Sequence, residues 1–314
     1  MSPSSYLDLL DATLASGLRD LSTAFVDAQV TFVAGCQQPD GGFRGRQGGS
    51  DLYYTDFALR SLALLAPGHS AFARAAGWLD RRPAAVSSIV ECFSLLSVRR
   101  TLERWATVDV QNPPLPPFRA LPSVKEQLFK NLLPSGGLAR FDGDARVGAY
   151  HTFLGALCFQ MLGEALPATP AAVGSIQALR RADGGYAELD GQAASQTNAT
   201  AAAVAFLMMH DALPPEDAAE VRRFLARLQA ADGGLKAHAA AGGGDLLSTF
   251  TGLATLAAVD GEQSVDMAAL GGFLRDTADS GGGFLACLGD DSPDVEYTYY
   301  GTAVLALLRT LHGR

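Results

Sequence analysis

The sequence predicts an all-α fold assembled from six repeated helix pairs. Three observations predict it: a Gly-Gly-apolar triplet that recurs, a threonine in fixed register with that triplet, and two alternating kinds of helical pattern. The triplets lie in PDGGFRG at Pro39, PSGGLAR at Pro134, ADGGYAE at Ala182, ADGGLKA at Ala231 and SGGGFLA at Ser280. The threonines are Thr55, Thr152, Thr200, Thr249 and Thr298. From the first glycine to the threonine is 16 residues in four units and two fewer in the first. From Thr152 onward the threonines are spaced by 48, 49 and 49 residues. Thr55 to Thr152 is 97 residues, two periods, and VSSIVECFSLLSV (Val86 to Val98) reads as the helix of a sixth unit that lacks the glycines.

Within a unit the glycine pair comes first, as the left-handed stop of a preceding helix. The run opened by the threonine, such as TFTGLATLAAV or TNATAAAVAFLMM, is apolar nearly all round, as for a helix buried on every side. The second run is amphipathic. PEDAAEVRRFLARLQ (Pro215 to Gln229) begins with proline and acids and puts Val221, Phe224, Leu225 and Leu228 on one stripe. Each unit therefore holds one inner and one outer helix, twelve in all. Such pairs stack as an open solenoid or close into a ring, and inner helices without a polar face favour closure. Strand signals are weak. The segment from Arg99 to Ser123, with QNPPLPPF, reads as a Pro-rich loop or short arm inside one domain spanning residues 1–314.

Composition narrows the function. The net charge of −9 argues against nucleic acid, which requires a dense cationic face, and against anionic lipid. Lysine occurs only at Lys125, Lys130 and Lys236. Cys36, Cys92, Cys158 and Cys287 are far apart and form no CxxC or Cys/His cluster, as expected of core thiols in a reducing compartment. The first residues lack a basic n-region, and no apolar run is long enough to span a bilayer, so the expectation is a cytoplasmic protein without a transmembrane segment. P-loop, G-x-G-x-x-G, HExxH and GxSxG motifs do not occur.

QQPDGGF (Gln37 to Phe43) and QAADGGL (Gln229 to Leu235) resemble the Q-x-x-x-G-x-aromatic repeat of squalene–hopene cyclases and protein prenyltransferase beta subunits. DLYYTDFALRSLALL and DVEYTYYGTAVLALL resemble the helix-opening halves of those repeats. The resemblance runs from Gln37 to Leu308 apart from the proline arm. It implies an alpha/alpha toroid, an α6/α6 barrel whose central funnel takes isoprenoid chains, with key residues just before the repeat threonines. In the prenyltransferases an Asp-x-Cys pair and a histidine bind catalytic zinc. Here the matching positions are Asp245, Leu247 and Tyr297, and leucine offers no donor atom, so no metal or other cofactor is expected. In the cyclases the middle aspartate of Asp-x-Asp-Asp-Thr protonates an alkene or epoxide. Here Asp294-Val-Glu296-Tyr297-Thr298 matches in part, with Glu296 at the acid position and Tyr297 in place of the third carboxylate.

The candidate catalytic residues are thus Glu296, Asp294, Tyr297, His151 and Asp56. Glu296 also stands where a helix macrodipole favours any carboxylate, by about 0.3–1 kcal/mol. Asp56 lies just inside an inner helix, where burial of an acid is costly unless it caps or faces a cavity. His151 directly precedes Thr152 and carries a near-neutral acid or base. The candidate substrate-binding residues are Asp51, Tyr53, Tyr54, Phe57, Tyr150, Phe153, Asn198, Asp245, Phe250 and Tyr300. Asp51, Asn198 and Asp245 also suit helix caps, whereas the aromatics suit cation–π stabilisation of a carbocation, about 0.5–2 kcal/mol each. Arg44, Arg46, Arg140, Arg146 and Lys236 lie in the post-glycine loops, where they suit either a diphosphate or solvent. The expectation is an isoprenoid enzyme of the terpenoid cyclase type. The alternatives are a prenyltransferase-like enzyme with a helical partner subunit, and a non-catalytic toroid that binds a lipid or protein.

Overall fold

The computed structural model describes residues 5–106, 115 and 118–312. Among them are thirteen α-helices, a short 3-10 turn at Glu262–Ser264 and only isolated β-bridges. In chain order the helices are α1 (Tyr6–Gly17), α2 (Thr23–Gly35), α3 (Leu52–Leu65), α4 (Ala71–Arg81), α5 (Ile89–Trp105), α6 (Leu121–Asn131) and α7 (Ala149–Met161). There follow α8 (Thr169–Gln177), α9 (Thr197–Met209), α10 (Pro215–Ala226), α11 (Leu246–Ala258), α12 (Met267–Asp276) and α13 (Val295–His312). The odd-numbered helices from α3 to α13 pack side by side, and α13 returns to α3, so six inner helices close a ring. The even-numbered helices form the outer layer: α4 and α6 pack on α5, α8 on α9, α10 on α11, and α12 on α13. The fold is an alpha-alpha toroid, as the repeat pattern and the resemblance predict.

The repeat register has a local physical cause. In every glycine-bearing unit the N–H of the apolar residue after the glycines donates to the repeat threonine's hydroxyl. The distances are 2.9 Å for Phe43 to Thr55, Leu138 to Thr152, Tyr186 to Thr200 and Leu235 to Thr249, and 3.2 Å for Phe284 to Thr298. All five threonines are fully buried, so each satisfies a backbone donor that has no access to water. Thr249→Val keeps the shape and removes the acceptor. It is expected to lower stability by about 1–3 kcal/mol, read as a shift in denaturant midpoint at unchanged slope.

A second link ties neighbouring units. The first N–H of α7, α9 and α11 donates to a carbonyl in the next post-glycine loop, Glu188, Ala237 and Ala286 respectively, at 2.8–2.9 Å. Ring closure reuses these devices across the chain ends. The last glycine turn docks on α2, where the Gly283 N–H donates to Gln29 Oε1 at 2.9 Å. Arg46, in the first post-glycine loop, pairs with Asp290 and Asp294 of the last unit.

Two features differ from expectation. Residues 99–105 complete α5 and residues 121–123 open α6, so the proline arm is shorter than the composition suggests. Much of QNPPLPPF lies outside the described residues. The helix α1 stands outside the repeat pattern altogether. The expected stripe is observed, with Val221, Phe224 and Leu225 on α10 and Leu228 just beyond its end all buried.

Candidate active site

The N-termini of the inner helices converge at one mouth of the ring. Asp294 caps α13: Oδ1 accepts from the Tyr297 N–H at 2.9 Å and Oδ2 from Arg46 Nε at 3.0 Å. Its charge is held in place, while Glu296 projects from the first turn. Glu296 Oε1 accepts from the Tyr53 hydroxyl on α3 at 2.7 Å, and Tyr300 makes a further polar contact with the same carboxylate. Burial is the main influence on Glu296 and raises its pKa, against the opposing pull of Tyr53. The charge on Asp294 raises it further. Tyr150, on α7 directly across the ring, has its phenol raised by burial and by the same Glu296 charge. Tyr297 is pushed up to about 12, again chiefly by burial.

Aromatic rings cluster on one side of the ring below Glu296. Phe57 packs edge-on to Tyr53 at 4.9 Å and to Tyr300 at 5.2 Å, and Phe250 on α11 stacks on Tyr300 at 5.6 Å. Across from α3 stands α9, where Asn198, Ala201 and Ala205 recur at helical spacing and stay half-buried. Asn198 Oδ1 accepts from the Thr251 hydroxyl at 2.7 Å, joining α9 to α11.

One turn below Tyr53, charge appears. Asp56 is 2% exposed and lies 3.9 Å from Arg60. The Arg60 guanidinium sits 4.1 Å from the centre of the Tyr299 ring and also donates to its hydroxyl. Burial pushes the Asp56 carboxyl up to about 6, with Arg60 opposing. Asp56 thus neither caps α3 nor lies open; it is buried with a cation one turn away. Its ordinary value is 3.8, so the native state holds this proton more tightly than the unfolded chain. The resulting stabilisation is complete below about pH 4 and lost as pH rises to about 6, a change of about 3 kcal/mol. Asp56→Asn is expected to flatten that part of the stability–pH curve, measured by thermal melts between pH 4 and 7.

The remaining candidates hold local roles. Asp51 caps α3, accepting from the N–H groups of Tyr53 and Tyr54 at 2.8 and 3.3 Å. Asp245 caps α11 through the Ser248 N–H at 2.8 Å, and burial raises its carboxyl. Tyr54 packs edge-on to Tyr53 at 5.5 Å. His151 pairs through Nδ1 with Glu188 Oε1 at 3.3 Å, beside the Tyr150 ring. Glu188, which sequence reading missed, belongs to this candidate site through its pairing with His151. Its other oxygen accepts from the Tyr150 N–H at 3.1 Å, so it caps α7, whose own N-cap is Gly148. Its signal was an acid at the register position held by Ala237 and Ala286 in the next two units.

The donor set does not fit zinc. Leu247 supplies no ligand atom and the Asp245 carboxylate is engaged as a cap. Three of the five loop cations are already paired, Arg46 with Asp290 and Asp294, and both Arg140 and Arg146 with Asp144. A cavity of about 160 Å³ lined by Leu79, Arg82, Leu95 and Phe118 lies outside the ring, remote from Glu296. It is smaller than the roughly 300–1,000 Å³ of ordinary ligand pockets.

Solved structures share this architecture at low sequence identity. Candida albicans protein geranylgeranyltransferase-I, complexed with GGPP, superposes with a TM-score of 0.67 at 13% identity, covering 90% of each chain. A variant of the type II terpene cyclase MstE from Scytonema, in complex with geranylgeranyl dihydroxybenzoate, gives 0.59 at 14% identity, over 96% of this chain and 98% of that one. An inactive alpha-1,6-mannanase variant from Salegentibacter gives 0.60 at 13% identity, over 96% and 99%. No curated protein matches the chain in sequence. The model of the prenyltransferase alpha-alpha toroid domain matches residues 5–104 and 160–314, and the chain belongs to that family.

Proposed function

We propose that this protein is an isoprenoid-processing enzyme in which Glu296 protonates a polyprenyl chain and starts a cyclisation. The observation that carries the reading is the placement of Glu296: a carboxyl raised by burial, hydrogen-bonded by Tyr53 at 2.7 Å, at the mouth of an aromatic-lined ring. A toroid by itself does not choose this chemistry, since a mannanase shares the architecture. The side chains favour it. Isoprenoid compounds in the complexes of a geranylgeranyltransferase and a type II terpene cyclase support the substrate class.

In the proposed step the Glu296 carboxylic acid transfers its proton to one carbon of an alkene, whose π electrons form the new C–H bond. The other carbon becomes cationic, and a second alkene attacks it to close a ring. The Tyr53 hydroxyl and Tyr300 stabilise the carboxylate left behind. The faces of Phe57, Phe250 and Tyr300 attract the travelling cation. Loss of a proton from the final cation to a base completes the cycle, and His151, paired with Glu188, is the nearest imidazole to the Tyr150 side of the mouth. No metal is required. The test is incubation of wild type and Glu296→Gln with a panel of polyprenyl substrates, followed by product analysis. Cyclised product from wild type alone supports the assignment, and equal turnover by both proteins removes it.

A further inference from the structure

Arg46 stands at the seam where the ring closes. Its place, three residues after the apolar residue of the glycine turn, is held by Phe141, Leu189, His238 and Cys287 in the other glycine-bearing units. A guanidinium therefore occurs there only in the first unit. Gly45 lets the loop that carries it lie against α3, since a Cβ there would sit 2.6 Å from the Tyr54 ring. From that loop Arg46 reaches across to the last unit. Its Nη1 donates to Asp290 Oδ1 at 2.8 Å, Nη2 to the other Asp290 oxygen, and Nε to Asp294 Oδ2 at 3.0 Å. Two carboxylates thus share one planar fork, a geometry that lysine does not reproduce. The same guanidinium lies 5.9 Å from the centre of the Tyr297 ring, on the first turn of α13.

Both ends of this clasp bear on Glu296. Asp294 is 6% exposed, and its other oxygen caps α13 two residues before the acid. Asp290 is fixed in turn by the Ala286 N–H at 2.9 Å, and the Ala286 carbonyl accepts the first N–H of α11 at 2.8 Å. One side chain of the first unit therefore holds the start of the helix that presents Glu296. The electrostatics point the same way. The phenols nearby, Tyr53 and Tyr54 on α3, Tyr150 on α7, and Tyr297 and Tyr300 on α13, all have raised values and stay neutral. Asp245 on α11 acts on Tyr297, and Glu188, paired with His151, acts on Tyr150. The charges that act on Glu296 itself are Asp294, which raises its pKa, and Arg46, which lowers it. Arg46 also holds Asp290 below the usual carboxylate range, so that residue stays ionised.

We propose that Arg46 is a positioning residue for Glu296: by clasping Asp294 across the closing seam it sets where the acid stands and offsets the negative charge beside it. This inference rests on the reading of Glu296 as the acid. Arg46 acts through Asp294 and not on the substrate. Ring closure and acid strength are thereby coupled, because a ring that opens at this seam uncovers the Asp294 charge and frees the start of α13.

The test is a pH titration of the Glu296 carboxyl by carbon NMR of the isotope-labelled full chain. The signal is assigned by its loss in Glu296→Gln, and thermal melts establish folding. In Arg46→Gln the uncovered Asp294 charge disfavours a second carboxylate, so Glu296 is expected to titrate at higher pH than in wild type. Asp294→Asn, which keeps a capping side chain, is expected to move the titration to lower pH. Combining Arg46→Gln with Asp294→Asn is expected to return it toward wild type. Arg46→Lys keeps the cation without the fork and is expected to shift it upward by less, which keeps the test decisive if Arg46→Gln fails to fold. With a polyprenyl substrate, Arg46→Gln is expected to lower kcat about tenfold or more at unchanged KM, and to carry the falling limb of the pH profile upward. A folded Arg46→Gln or Arg46→Lys protein whose Glu296 titrates at or below the wild-type pH overturns the proposal. So does a double variant that titrates as high as Arg46→Gln alone. Wild type that turns over no polyprenyl substrate overturns the isoprenoid reading, whereas the titration judges Arg46 independently.

Discussion

Replacing Glu296 by Gln is expected to reduce turnover of a polyprenyl substrate by about 10²–10⁴-fold, the ordinary contribution of a positioned general acid. Glutamine preserves the side-chain volume and accepts from Tyr53 through its carbonyl oxygen, so binding is expected to survive. The loss should appear in kcat and not in the dissociation constant. The pH profile supplies a second, independent signature. In the proposed reaction Glu296 acts only when protonated, so activity should fall as pH rises through its pKa. Burial raises that pKa above the usual glutamate value, which moves the falling limb toward neutrality. The Tyr53 hydrogen bond works against burial, because it stabilises the ionised form. Tyr53→Phe should therefore move the falling limb to higher pH and slow the reaction, since the conjugate base loses a donor. A wild-type profile flat from pH 4 to 8, or a Tyr53→Phe limb displaced downward, would contradict the role given to Glu296.

Gly233→Ala is expected to cost about 2–5 kcal/mol of stability. Gly233 has φ of +92°, a conformation that alone penalises an L side chain by roughly 1–2 kcal/mol. A Cβ there would also lie 2.2 Å from the Ala269 carbonyl oxygen and 2.6 Å from its carbon. That contact is with the backbone of α12, which cannot turn aside as a side chain would, and overpacking adds about 1–3 kcal/mol. Gly242 lies in the following loop, and a Cβ there would meet nothing within 4 Å. Gly242→Ala should stay within about 0.5 kcal/mol of wild type. The comparison, made by denaturant unfolding, isolates the glycine turn from the general cost of altering a loop. Equal midpoints for the two variants would show that the turn does not dock α12 as described.

Much of this fold was legible in the sequence because its basic unit is local. A glycine turn, an apolar residue whose N–H needs an acceptor, and a threonine hydroxyl that supplies one lie within a few turns of each other. The bond therefore imposes a constant spacing, and Thr152, Thr200, Thr249 and Thr298 keep it. The aromatics and Glu296 were legible for the same reason, since each stands at a fixed offset from one of these threonines. Asp56 illustrates the limit. Its position inside α3 was evident, but its environment depends on Arg60, on Ser97 of the neighbouring helix and on exclusion of water, none of which is a property of α3 alone. Glu188 illustrates another. It caps a helix that begins 39 residues before it, so no window around either residue contains the pair.

By itself, then, the sequence determined the repeat, the alternation of inner and outer helices, and the residues at the mouth of each inner helix. Those follow from short-range hydrogen bonds and from the periodicity of apolar side chains. Only the tertiary structure decided that the pairs close on themselves, that Arg46 of the first unit locks Asp290 and Asp294 of the last, and that the start of α1 is tied to the end of α7. Those contacts join residues about 150 to 250 positions apart, and their partners are selected by the cumulative rotation of stacked helix pairs. No single unit encodes that rotation, so the closed ring emerges only when all six inner helices are in place.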